Sequence, residues 1–322
     1  MDWNSRRVLV TGGAGFIGSH LVDALLARGA RVRVLDNLSN GKRENLAHCE
    51  AEIEFLEADI RDAAACRAAV RDVEYVFHQA ALGSVPRSMK DPSTSIAVNV
   101  SGTANVFAAA RDEGVRRVVY ASSSSVYGDS KRLPKREGEE GKPLSPYALS
   151  KAMNEQLADV FRRCDGMELV GLRYFNVYGP RQDPDGPYAA VIPRFFKAYL
   201  SGDAPVIYGD GEQSRDFTFV SDAVAANVCG AEAPAESCGA AYNVAGGKQT
   251  TVNELARSVR EAVGGGPQPR YEAPRKGDVM HSAADLGQSQ RGLSYAPSVA
   301  LADGLSRSLE HYRRVVGTVA RA

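Results

Sequence analysis

The first 175 residues alternate short apolar, β-branched runs with longer stretches whose apolar positions recur every three or four. The short runs predict strands over 7–11, 31–36, 53–57, 74–78, 117–122 and 169–174. The longer stretches predict helices over 17–28, 62–70, 92–113 and 146–164, and in the first of them Ile17, Leu21, Ala24 and Leu25 share one face. Gly29 and Gly114 follow the first and third helices as left-handed caps. Strands alternating with helices imply right-handed crossovers, and so an α/β protein with a doubly wound parallel sheet. Beyond 175 the rhythm turns irregular. Helices are expected over 191–200, 222–229, 252–263 and 299–315, with strands over 206–208, 216–220 and 241–244. The chain therefore reads as a first domain over 1–175 and a smaller α/β lobe over 176–322, some strands of which rejoin the main sheet.

Composition narrows the function. Of 322 residues, 39 are Lys or Arg and 39 are Asp or Glu, so no net field draws nucleic acid or an acidic membrane. The apolar run at Val8–Val10 is cut short by glycines and is expected to be a strand and not a signal peptide, and no run reaches the ~20 apolar residues of a membrane span. Cys49, Cys66, Cys164, Cys229 and Cys238 are an odd set without C-x-x-C spacing, which suits reduced thiols and a cytoplasmic address. The five histidines show no H-x-x-x-H spacing, and no metal is expected.

The strand ending at Thr11 runs into Gly12-Gly13-Ala14-Gly15-Phe16-Ile17-Gly18, a G-x-x-G-x-x-G loop that opens a helix. Such a loop turns tightly, brings backbone close to a pyrophosphate and offers it the helix N-terminus. Asp36 ends the next strand, where a carboxylate accepts hydrogen bonds from a ribose diol and repels a 2′-phosphate. Together these mark a Rossmann-type site for NAD, with Gly12, Gly15, Phe16, Ile17, Gly18, Asp36 and Asn37 in it.

Downstream, Ser145 and Pro146 fit the N-cap and first position of a helix that carries Tyr147 and Lys151 four residues apart, hence on one face. An ammonium near a phenol favours the phenolate, which makes Tyr147 a candidate general base. Ser122, Ser123, Ser124 and Ser125 end the fifth strand, on the edge where open α/β sheets bind ligands.

With TGGAGFIG, SSSSVYG and YALSK in hand, the chain resembles the extended short-chain dehydrogenase/reductase family along nearly its whole length, and within it the nucleotide-sugar 4-epimerases. HQAA, RYFNVYGPRQDP, AAVIPRF, YGDGEQSRDFTFVSD and RKGDVMHSAAD are further segments similar to that group. The resemblance implies Tyr147 as base, Lys151 on the nicotinamide ribose and Ser124 on the sugar 4-hydroxyl. It implies cofactor contacts from Asp59, Ile60, Gln79, Ala80, Ala81, Asn99 and Ser122. For the nucleotide sugar it implies Ser84, Ser123, Asn176, Ala190, Val191, Arg215, Arg275, Asp278 and Ser282. The arginines suit a diphosphate of about two charges.

The activity implied is NAD-dependent 4-epimerisation of a UDP-hexose through a transient 4-keto sugar. Related 4,6-dehydratases carry acids where Ser124 and Ser125 stand, and uronate 4-epimerases carry threonine where Asn176 stands. Ser282 is small where a tyrosine confines other relatives to plain hexoses, which points to UDP-GlcNAc/UDP-GalNAc ahead of UDP-Glc/UDP-Gal. A non-catalytic NAD-binding regulator is the alternative of another class, against which the complete Ser124/Tyr147/Lys151 set argues. Alanine-rich stretches over 92–113 and 146–164 suit helix packing in a homodimer, as relatives pack.

Overall fold

Strands that present apolar residues to both faces of a sheet need cover on both, and the first half of the chain supplies it. In the computed structural model, which describes residues 2–185, 189–274 and 280–319, strands β1 (Arg7–Thr11), β2 (Arg31–Asp36), β3 (Ile53–Glu57), β4 (Tyr75–His78), β5 (Arg117–Ser123) and β6 (Glu168–Tyr174) alternate with helices. These are α1 (Phe16–Leu26), α2 (Ala63–Val70), α3 (Val85–Lys90), α4 (Pro92–Ile96), α5 (Gly102–Asp112) and α6 (Pro146–Asp165). There follow β7 (Val177–Tyr178), α7 (Val191–Leu200), β8 (Val206–Tyr208), β9 (Ser214–Asp216), β10 (Thr218–Phe219) and α8 (Val220–Glu232). The chain closes with β11 (Ala241–Val244), β12 (Gln249–Thr251), α9 (Val252–Val263), β13 (Arg270–Glu272), α10 (Gly287–Leu293) and α11 (Leu301–Val319).

Seven strands form one parallel sheet in the order β11-β6-β5-β4-β1-β2-β3. The order reverses between β1 and β4, which opens a crevice at the carboxyl ends of these strands. Alternate residues of a strand face opposite ways. Val8 and Val10 accordingly join the core under α1 and α8, while Leu9 joins the core under α2, α5 and α6. A third core lies among α7, α9 and α11, where the Phe196 and Tyr312 rings stack at 4.6 Å. β11 belongs to the main sheet and α8 packs against β5 and β6, so the chain crosses back over the line expected at residue 175.

The long helix expected over 92–113 is instead α4 and α5 joined by a π-helical turn, Ala97–Ser101. Its extra residue turns the Asn99 amide into the core, where it takes up the Leu82 backbone. The strand expected over 216–220 divides into β9 and β10, and α8 begins at Val220. No helix among the described residues is long and apolar enough to cross a membrane.

Arg117 ties the sheet to α8. Its side chain is 4% exposed; it donates to the Gly230, Ala231 and Ala233 carbonyls and pairs with Glu168 at 2.6 Å. Removing a buried charge strands its partners. Arg117→Met is expected to lower the unfolding free energy by about 3 kcal/mol in chemical denaturation; a loss under about 1 kcal/mol would show the tie to be dispensable.

Candidate active site

The crevice is a cleft of about 590 Å³. At its floor the glycine loop leaves β1 with Gly12 in the left-handed region, φ +69°. A Cβ on Gly12 would meet the Ala80 backbone at 2.7 Å, and one on Gly18 would overlap the Gly12 carbonyl. The loop is therefore a bare cradle ahead of α1, which has no side-chain cap and leaves its first N–H groups to a phosphate. That cradle fits a dinucleotide. Asp36 lines the cleft with its oxygens accepting from the Ala14 and Leu38 N–H groups at 2.9 and 2.8 Å. Burial raises its carboxyl, and those two bonds oppose the rise.

Asn37, Asp59 and Ile60 line the same end. Asn37 and Arg61 both donate to Asp59 and hold its carboxyl down at about 2, with Arg61 the larger influence. Gln79, Ala80 and Ala81 line the cleft beside the glycine loop. Gln79 is fixed in a ring of hydrogen bonds with Asn227 and Tyr174. Tyr174 lines the cleft too, and neither it nor Asn227 was picked out from the sequence, although Tyr174 lies inside RYFNVYGPRQDP.

The reactive groups meet where β5 ends. Ser145 caps α6 by accepting from Ala148, with Pro146 in the first turn, as the sequence suggests. Tyr147 and Lys151 then project over the end of β5. The Tyr147 hydroxyl is hydrogen-bonded with Ser123, not with Ser124. Ser123 closes β5 and also caps the turn Ser124–Tyr127 by accepting from the Ser125 N–H. Ser124 lines the cleft nearby, and the Ser122 hydroxyl is committed to Glu155 at 2.5 Å.

Lys151 is 3% exposed and donates to the Ala121 carbonyl at 2.7 Å. Burial lowers its ammonium to about 8, with Glu155 pulling the other way. Burial also raises Tyr147, the Ser123 bond opposing. The downward pull expected from Lys151 does not set the direction here; desolvation, which penalises the phenolate, does.

A second cavity of about 300 Å³ adjoins the cleft, with Asn176, Val177 and Gln182 in both walls. Ala190 and Val191, at the N-terminus of α7, line it together with Arg215 of β9. Arg215 donates to the Ser214 carbonyl at 2.9 Å. Asn176, φ +37°, donates to the Asp216 carbonyl. Ser84, Asn99 and Ser282 line neither cavity. Ser84 caps α3, Asn99 sits fully buried behind the wall that includes Leu82, and Ser282 donates its N–H to the Ser214 carbonyl. Arg275 and Asp278 lie outside the described residues.

Lys42, Arg181 and Asp183 also line the cleft and went unread in the sequence. Among the described residues Asp23, His48 and Cys49 gather closely enough to suggest a metal. Asp23, however, is already paired with both His48 and Arg181.

The sequence pattern of the NAD dependent epimerase/dehydratase family matches residues 8–245. A UDP-glucose 4-epimerase of Mycolicibacterium smegmatis is 42% identical over 311 residues, covering 95% of this chain and 98% of that one. A UDP-N-acetylglucosamine 4-epimerase of Methanobrevibacter ruminantium, solved with UDP-N-acetylmuramic acid, is 39% identical with a TM-score of 0.92 over 97% of this chain and 99% of that one. A Thermotoga maritima UDP-glucose 4-epimerase solved with UDP-glucose is 38% identical, TM-score 0.91, over 96% and 99%. With the glycine cradle, Asp36 and the Tyr147–Lys151 helix in place, the chain belongs to the NAD dependent epimerase/dehydratase family, and NAD is its cofactor.

Proposed function

We propose that the protein is a UDP-hexose 4-epimerase that interconverts UDP-N-acetylglucosamine and UDP-N-acetylgalactosamine, with UDP-glucose and UDP-galactose as a second pair. The observation that carries this is the Tyr147–Ser123 pair beside Lys151, in a cleft whose wall continues into a cavity lined by Arg215. Ser124 and Ser125 line the cleft and offer no acid for eliminating a 6-hydroxyl. Ser282, held against Ser214 and outside both walls, takes no room from a 2-substituent.

Bound NAD supplies a hydride acceptor and a positive ring charge. The chain handles the proton and the fit. Tyr147 takes the proton of the 4-hydroxyl and later returns it, while Ser123 holds the same oxygen and relays to the phenol. Lys151 favours the phenolate and fixes the nicotinamide ribose. The N-terminus of α7 and Arg215 hold the diphosphate. Arg275 and Asp278 are proposed for the nucleotide end, and Asn99 as the support of the cofactor wall at Leu82.

We also propose a homodimer. Leu149, Met153 and Val160 leave an exposed apolar stripe on α6, flanked by Met89 of α3, and single-chain surfaces rarely leave such patches bare. The five free thiols favour a reducing, cytoplasmic setting.

Four outcomes are expected. Given UDP-N-acetylglucosamine without added NAD, the purified protein yields UDP-N-acetylgalactosamine by NMR of the anomeric protons. Conversion of UDP-glucose alone would remove the acetyl preference, and a 4-keto-6-deoxy product would make the protein a dehydratase. Ser282→Tyr is expected to lose the acetylated pair first, by at least about tenfold, and equal losses on both pairs would exclude a gate there. Ser123→Ala is expected to lower kcat by about 100-fold and Ser124→Ala by under about tenfold; the reverse order in steady-state kinetics would return the role to Ser124. For the dimer, Met153→Arg should halve the mass seen by light scattering.

A further inference from the structure

α6 carries a third polar side chain in line with the catalytic pair. Tyr147, Lys151 and Glu155 stand at successive intervals of four, and Glu155 faces the same strand ends. Its carboxylate is 16% exposed and fully engaged. Arg173 of β6 donates to both oxygens, at 2.9 and 2.7 Å, and the Ser122 hydroxyl of β5 donates at 2.5 Å. Arg173 is in turn held by Glu140 and the Tyr127 hydroxyl. Such a carboxylate costs much to bury, and a polar network of this kind is retained only where all its members are satisfied.

We propose that Glu155 is a positioning residue for Tyr147 and Lys151: it pins the end of β5 to α6 through Ser122 and supplies the negative charge that keeps Lys151 an ammonium. This rests on the epimerase reading of the same site. Ser122 lies between Ala121, whose carbonyl takes the Lys151 Nζ, and Ser123, which bonds Tyr147. Fixing Ser122 therefore fixes both neighbours against the helix. The charged and titratable groups around the pair are few. His78 of β4 is held neutral, well below its usual range, by burial first and then by Lys151. Tyr120 of β5 and Tyr127 are raised by burial and stay neutral, and Arg173 is balanced by Glu140 as well as Glu155. Glu137 and Asp159 stand farther out, facing Tyr127 and Tyr120. Glu155 is the group that opposes burial at Lys151, whose ammonium is lost as pH rises through about 8. Without Glu155 that loss moves to lower pH.

The test compares Glu155→Gln, Glu155→Asp and Ser122→Ala as NAD-loaded enzymes. In Glu155→Gln, kcat falls about tenfold with KM within about twofold, and the alkaline limb of kcat moves down by about one pH unit. Glu155→Asp keeps the charge and returns the limb to its wild-type place. Ser122→Ala lowers kcat and leaves the limb unmoved. A limb that stays in place in Glu155→Gln, or an unchanged kcat in Ser122→Ala, overturns the proposal. If the wild type converts no UDP-hexose, the function reading fails separately. The positioning claim is then read from the Lys151 ammonium itself, titrated by NMR of lysine-labelled protein and assigned against Lys151→Met. In Glu155→Gln it is lost at lower pH than in the wild type if the proposal holds, and at the wild-type pH if the proposal is wrong.

Discussion

A lysine ammonium 3% exposed at the end of a parallel sheet has to be met by something polar, and much of the site is arranged around that requirement. The Ala121 carbonyl is left for Lys151 because β4 stops pairing with β5 at Tyr120, while β5 runs on beside β6 to Ser123. Once α6 is laid down with Lys151 on that carbonyl, the helix repeat decides the rest. One turn back, Tyr147 falls at Ser123; one turn on, Glu155 falls at Ser122 and Arg173. The cap at Ser145 and the proline after it fix where the helix starts, and so which turn reaches the cleft.

The parts legible in the sequence are those with a period or a conformational demand. The strands of the main sheet show as apolar runs because both faces are covered. The glycine loop shows because only glycine tolerates the approach of Ala80 to Gly12. The assignment within Ser122–Ser125 was not legible, for a physical reason. Four like hydroxyls in a row carry no internal mark of register, and only the placement of α6 shows which one meets the phenol. Glu155 does stand in step with Tyr147 and Lys151, but a glutamate at helical spacing is ordinary on a solvated face. The three-dimensional fact that Arg173 comes from β6 to meet it is absent from local pattern.

The π-helical turn at Ala97–Ser101 was hidden for a related reason. A single inserted residue does not alter apolar periodicity enough to be read, yet it redirects Asn99 from the helix surface into the core. There its amide both donates to and accepts from the Leu82 backbone and reaches Ser150 of α6. Asn99 thus ties the cofactor wall to the helix that carries Tyr147, although it lines no cavity itself.

The same logic of a shared support applies across the cleft. Asn176 adopts φ +37°, in a region that asparagine tolerates better than most residues, because its short amide can hydrogen-bond locally. Its amide donates to the Asp216 carbonyl, and its own carbonyl accepts from Thr218. Asp216 takes N–H groups from Gly247 and Ala284, so three separate stretches of chain converge on one turn. That turn is the wall common to the two cavities. A ligand long enough to occupy both must pass it, and the distance from Arg215 to Tyr147 is set by how rigidly it is held. The strained turn is a constraint of the kind that proteins keep where position matters more than local backbone energy.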